Sequence, residues 1–283
     1  MTLEKEPIFI VGSGRSGTRM IYKLLSGIPH IEIHHEYLCT HIQQLAALYH
    51  MHVISQQTVK EKLLELYGAA IYYSRAKHWI DSSNKLSWVI EPLFELFPSA
   101  KFVNITRDGR KVASSYFHKL SDEMYDDESV RVMQEWLKHQ DRVPMPPPEK
   151  RYWWNIPRGD DPFADEFPLF DQFERACYQW VEANRVILET FEKIPKEQKL
   201  WVKLENLVKD KSVLEEFLAF FGVNYEEHYY EFLQTPQNVI FPIDFRLTGN
   251  QAKQFDRIAS VMMAKLGYAG IEEYSVDYGR KPG

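Results

Sequence analysis

The chain has 283 residues, with 34 Lys and Arg against 40 Asp and Glu; a formal net charge of −6 argues against the broad basic surface of a nucleic-acid binder. Hydrophobic residues make up 45%, yet no apolar run approaches the length of a bilayer-spanning helix, so we expect a globular protein that is not integral to a membrane. Two cysteines, Cys39 and Cys177, are too few for a disulfide framework and are expected as free thiols in a reducing compartment.

The apolar run Ile8 to Val11 reads as a buried strand that ends in the turn GSGRSG. No charged and hydrophobic leader precedes it, so a cytoplasmic location is expected. Gly12, Gly14 and Gly17 let the backbone turn tightly, and Met20, Ile21, Leu24, Leu25 and Ile28 then repeat at helical spacing. The free N–H groups of that helix would point back at the loop, the usual setting for a bound anion. The letters fit a dinucleotide GxGxxG, with Glu36 after a second strand, Ile31 to His34, where a ribose-binding carboxylate belongs. They do not fit a nucleotide-kinase P-loop, because Thr18 and Arg19 follow Gly17 where lysine is required. A third reading takes Arg15 to Thr18 as a cationic loop for a phosphosulfate.

A helix is expected to begin near Tyr37, which would give Glu36 a purely structural alternative as its cap. A further helix spans Thr58 to Lys77, then a strand HWID at 78–81 and a helix from Trp88 to Phe97. Lys101 to Thr106 is another strand, followed by Arg107-Asp108-Gly109-Arg110 and a helix with Val112, Ala113, Tyr116 and Leu120 on its apolar face. The Arg107 guanidinium and the Ser115 hydroxyl can converge on one tetrahedral anion. Two strand–loop–helix anion sites imply a ligand with two phosphate-like ends.

Residues 121–169 change character: an acidic stretch, a helix from Val130 to His139, and a segment whose prolines at 144, 146, 147, 148, 157, 162 and 168 forbid continuous helix. This reads as an insertion over the acceptor site, with Tyr152, Trp153 and Trp154 as candidate acceptor contacts. Phe170 to Phe191 is an amphipathic helix, Leu200 to Leu204 a strand, Ser212 to Phe221 a helix opened by a serine cap, and Asn250 to Leu266 the last helix. The alternation of strands and helices predicts an α/β fold with a mainly parallel central sheet and helices on both faces, as a single domain over 1–283.

Across roughly 1–119 and 170–268 the chain resembles the PAPS-dependent sulfotransferases, closest in pattern to bacterial and carbohydrate or tyrosyl-protein types. Gly12 to Arg19 is similar to the family's 5′-phosphosulfate loop, and Phe97 to His118, with Arg107 and Ser115, to its 3′-phosphate site; WVKLENLVKD at 201–210 and FLAFFGV at 217–223 are similar to later segments. The resemblance implies that Gly14, Arg15, Ser16, Gly17, Thr18 and Arg19 hold the 5′ side, with Arg15 beside the bridging oxygen, and that Arg107 and Ser115 hold the 3′-phosphate. It implies Glu36 as catalytic base, with the flanking His35 and His34 as alternatives. The family lysine ahead of the second site corresponds to Lys85, at a spacing that departs by a few residues; the glycine-rich RKG motif of cytosolic members is absent.

The implied reaction is sulfuryl transfer from PAPS, without a metal, to a hydroxyl or less readily an amine of a carbohydrate, lipid or small metabolite, leaving adenosine 3′,5′-bisphosphate. The region Tyr225 to Phe245 would help line the acceptor pocket. Two other readings stand beside it: an NAD(P)-linked Rossmann oxidoreductase and a nucleotide-binding module without turnover.

Overall fold

The computed structural model describes residues 5–120, 126–147, 155–235 and 246–271. Five strands, β1 (Ile8–Val11), β2 (Ile31–His35), β3 (His78–Ser82), β4 (Lys101–Thr106) and β5 (Lys199–Lys203), form one sheet in the order β2-β3-β1-β4-β5. Every pairing is parallel, with Ile8 beside both Ile80 and Lys101 and Phe102 beside Lys199. The β1, β3 and β4 side chains are almost wholly buried, as expected for strands covered on both faces.

The α-helices are α1 (Thr18–Leu25), α2 (Cys39–His50), α3 (Gln56–Tyr73), α4 (Ile90–Leu96), α5 (Gly109–Leu120), α6 (Asp127–Lys138), α7 (Gln172–Glu192), α8 (Leu204–Lys209), α9 (Lys211–Phe220), α10 (Glu227–Gln234) and α11 (Gly249–Lys265). Strand alternation sends Ile8 and Ile10 to one face, with Ile21 of α1 and Leu214 and Phe217 of α9. Phe9 and Val11 go to the other, with Val59 and Leu63 of α3 and Ile187 of α7. A further apolar cluster joins α5, α7 and α11, and Ile54 and Trp201 pack against both it and the second face. The predicted α/β architecture with helices on both faces is therefore what the chain adopts.

Several local expectations are corrected. The helix after β2 starts at Cys39, and its first flanking residue, Leu38, makes no capping bond with its side chain. Helix α9 is capped by Asp210, which accepts from the Ser212 N–H, so the serine lies inside the first turn. The last helix opens on Thr248 and Gln251, which cap each other reciprocally. Within 121–169, Val130, Met133 and Trp136 of α6 and Ile156, Phe167 and the adjoining Phe170 are buried in the same cluster as α7. The described part of that segment thus contributes to the core, whereas Tyr152, Trp153 and Trp154 lie outside the described residues, as does 236–245.

Candidate active site

Parallel strands deliver their following loops to one edge, and here four adjacent strands bring the candidate residues together. The β1 loop carries Gly12 to Gly17, Arg107 follows β4, Lys85 lies just past β3, and Glu36 comes directly after β2.

The β1 loop is clamped from both sides. Ser87 exchanges bonds with Gly12, its Oγ accepting from the N–H at 3.2 Å and donating to the carbonyl at 2.9 Å. The buried Tyr116 hydroxyl of α5 donates to Ser13 O at 2.9 Å. Gly14 has φ +80°, and a Cβ there would stand 1.8 Å from that hydroxyl, so only glycine fits. Arg15 is itself left-handed at φ 51°, a conformation uncommon outside glycine, asparagine and aspartate.

The two arginine sites touch. Arg15 Nε donates to Ser115 Oγ at 2.9 Å, and Arg107 Nη1 donates to Arg15 O at 3.0 Å. Arg15, grouped by sequence with the first loop alone, thus reaches the hydroxyl grouped with the second. Burial lowers the Arg15 pKa from its ordinary value, the field of Tyr116 opposes this, and the charges of Arg107 and Arg19 lower it further. Among the described residues no carboxylate forms an ion pair with Arg15, Arg19 or Arg107. Ser16 is fully buried, and its Oγ has no hydrogen-bond partner among the described residues.

Glu36 sits across the edge from these cations, about one-third exposed, with Oε1 3.8 Å from Lys85 Nζ. Lys85 is only 7% exposed; burial lowers its pKa while Glu36 and Cys39 raise it. Adjacent strand residues face opposite ways, which separates the two histidines. His34 Nε2 lies 3.1 Å from Glu32 Oε1, its ring against Tyr37 and Trp79. His35 stacks on Tyr22, and its Nδ1 lies 2.8 Å from Ser82 O. A carbonyl only accepts, so Nδ1 is the donor in this bond, and in the neutral ring Nε2 is the acceptor.

Sequence reasoning singled out neither Tyr116 as a clamp nor Asp81 of β3. Asp81 is an acid within a strand buried along its whole length, a pattern that marks a buried carboxylate with a specific task. Cys39 is partly buried and Cys177 buried, both unpaired thiols. No group of described His, Cys, Asp and Glu residues has the arrangement of a metal site, and no described helix is long and apolar enough to cross a membrane.

Fold and site together define a parallel α/β protein with a glycine-rich strand–turn–helix and clustered guanidiniums at the carboxyl edge of its sheet. The order β2-β3-β1-β4-β5 puts β3 between β1 and β2, whereas the dinucleotide-binding order sets β2 beside β1. Residues 7–145, which contain both loops, match the model of the sulfotransferase family. No curated protein matches the chain significantly. Among solved structures it is similar to a sulfotransferase domain from the curacin biosynthetic pathway (15% identity, 93% of this chain and 98% of that one, TM-score 0.48). It is also similar to a sulfotransferase from Alicyclobacillus acidocaldarius (16%, 93% and 96%, TM-score 0.49) and to one from Mycobacterium avium (14%, 92% and 76%, TM-score 0.47).

Proposed function

We propose that this sulfotransferase uses PAPS as donor and a hydroxyl of a carbohydrate, lipid or small metabolite as acceptor. The carrying observation is the cluster of Arg15, Arg19 and Arg107, which have no carboxylate partner among the described residues, beside the buried, unpartnered Ser16 hydroxyl. Three like charges this close are unfavourable until an anion arrives, and a donor with two phosphate-like ends supplies it.

In this reading the N–H groups at the start of α1, with Ser16 and Arg19, receive the 5′ side, and Arg107 with Ser115 grips the 3′-phosphate. Gripping the remote phosphate directs binding energy to orientation. Arg15, touching both loops, stabilises charge that builds on the equatorial oxygens and the leaving phosphate as acceptor and leaving group align. Glu36 accepts the hydroxyl proton as the new O–S bond forms, with His35 Nε2 as the second candidate. Lys85 Nζ, 3.8 Å from Glu36 Oε1, helps hold that side chain in place.

The Glu36–Lys85 pair favours an enzyme over a binding module, which has no need of a base beside its anion site. Incubating the purified protein with sulfur-labelled PAPS and fractionated cell extract should label one acceptor class; tight binding of NAD in calorimetry with none of adenosine 3′,5′-bisphosphate would discard the proposal.

A further inference from the structure

We infer that Asp81 is a positioning residue that pins the strained turn presenting Glu36 to the acceptor. The inference rests on the reading of Glu36 as base and adds to it the group that fixes its orientation.

Directly after β2 the chain takes two left-handed residues within three, Glu36 at φ 57° and Leu38 at φ 48°, neither of them glycine. Such backbone persists only where its surroundings hold it. Three bonds do so here. Glu36 N–H donates to Ser82 O at 3.2 Å, and Cys39 N–H to Glu36 O at 3.0 Å. The third is made by a side chain: Tyr37 N–H donates to Asp81 Oδ1 at 3.1 Å. Asp81 is itself locked, with Oδ2 accepting the Tyr67 hydroxyl of α3 at 2.7 Å.

Asp81 is 0% exposed and has no cationic partner among the described residues, an expensive setting for a carboxylate unless its acceptor oxygens are needed. The ionisable groups facing it are Tyr67 from α3, Glu36 from the turn and Cys39 from α2. Burial, helped by the charge of Glu36, raises the Asp81 pKa to about 7 against the hydrogen bonds from the Tyr67 hydroxyl and the Tyr37 and Glu36 backbones, so the turn's anchor changes charge near neutrality. A misplaced base loses rate without losing donor affinity, because among the described residues the turn's hydrogen bonds go to Ser82, Asp81 and α2 and not to Arg107 or the β1 loop.

The test compares Asp81→Leu and Asp81→Asn in the full chain, reading bisphosphate release at saturating PAPS with extract as acceptor source, adenosine 3′,5′-bisphosphate affinity, and hydrogen exchange at the Tyr37 amide. Asp81→Leu should lower the rate about 10- to 100-fold. It should also leave bisphosphate affinity within about twofold and speed Tyr37 exchange, while Asp81→Asn, which keeps an oxygen for that N–H, should restore most of the rate. A rate unchanged in Asp81→Leu, or lost in proportion to bisphosphate affinity, overturns the inference. Should Asp81→Leu not fold, the Tyr37 amide resonance decides: it should titrate near pH 7 in the natural protein and not in Asp81→Asn, and its failure to titrate overturns the inference. If the natural protein releases no bisphosphate from PAPS, the proposed function fails by itself, and exchange and titration at Tyr37 still judge Asp81.

Discussion

Arg15 and Ser115, one hundred residues apart, are joined by a 2.9 Å hydrogen bond from the guanidinium Nε to the hydroxyl. With Arg107 Nη1 on the Arg15 carbonyl, it makes the loops after β1 and β4 one connected cationic surface.

Replacing Arg107 with alanine removes a fork of donors but leaves its backbone carbonyl to accept from Trp180 Nε1, so the fold should survive. Charge-assisted hydrogen bonds contribute about 1.5–3 kcal/mol each, so calorimetry should record adenosine 3′,5′-bisphosphate binding roughly 10- to 150-fold weaker. Arg107→Lys should recover only part of this, since an ammonium cannot fork. Unchanged affinity would remove Arg107 from the donor site.

Glu36→Gln keeps the size of the side chain and abolishes its basicity. Turnover should fall by about 100-fold or more, with bisphosphate affinity nearly unaltered. Persistent turnover would shift the role to His35, and His35→Gln should then show the loss.

Gly14→Ala tests the clamp on the β1 loop. The added methyl meets the Tyr116 hydroxyl, and the φ of +80° disfavours any side chain, so the loop should be destabilised by about 1–3 kcal/mol. Thermal unfolding and bisphosphate titration should both register it. Tyr116→Phe, which loses the bond to Ser13 O, should cost about 1 kcal/mol.

Asp81 predicts a pH dependence of stability with a defined sign. Its pKa is about 7 folded, against about 4 in an unfolded chain. The native state therefore holds the proton more tightly, and the stability contributed by this group is full below pH 4 and declines as pH rises toward 7. Denaturant unfolding of Asp81→Asn beside the natural protein should show the variant gaining relative stability between pH 4 and 8, on the order of a few kcal/mol. A difference that does not vary with pH would contradict this.

The sequence by itself determined the local pieces. Buried apolar runs, glycine spacing and helical periodicity specified all five strands, the β1 loop, Arg107 at the end of β4 and most helices, because each depends on neighbours a few residues away. Cap positions were less legible: Asp210 and Ser212 are both good caps, and only the backbone path chooses between them.

Tertiary structure alone decided what meets what. Nothing in Ile31 to His35 says that β3 will insert between it and β1, yet that order puts Lys85 beside Glu36 and Asp81 beneath Tyr37. Nor does spacing disclose that Arg15 turns to Ser115 rather than standing with its own loop. Turn chemistry and periodicity act over a few residues, whereas these contacts join residues 44 to 100 apart and exist only once the sheet has closed in one order.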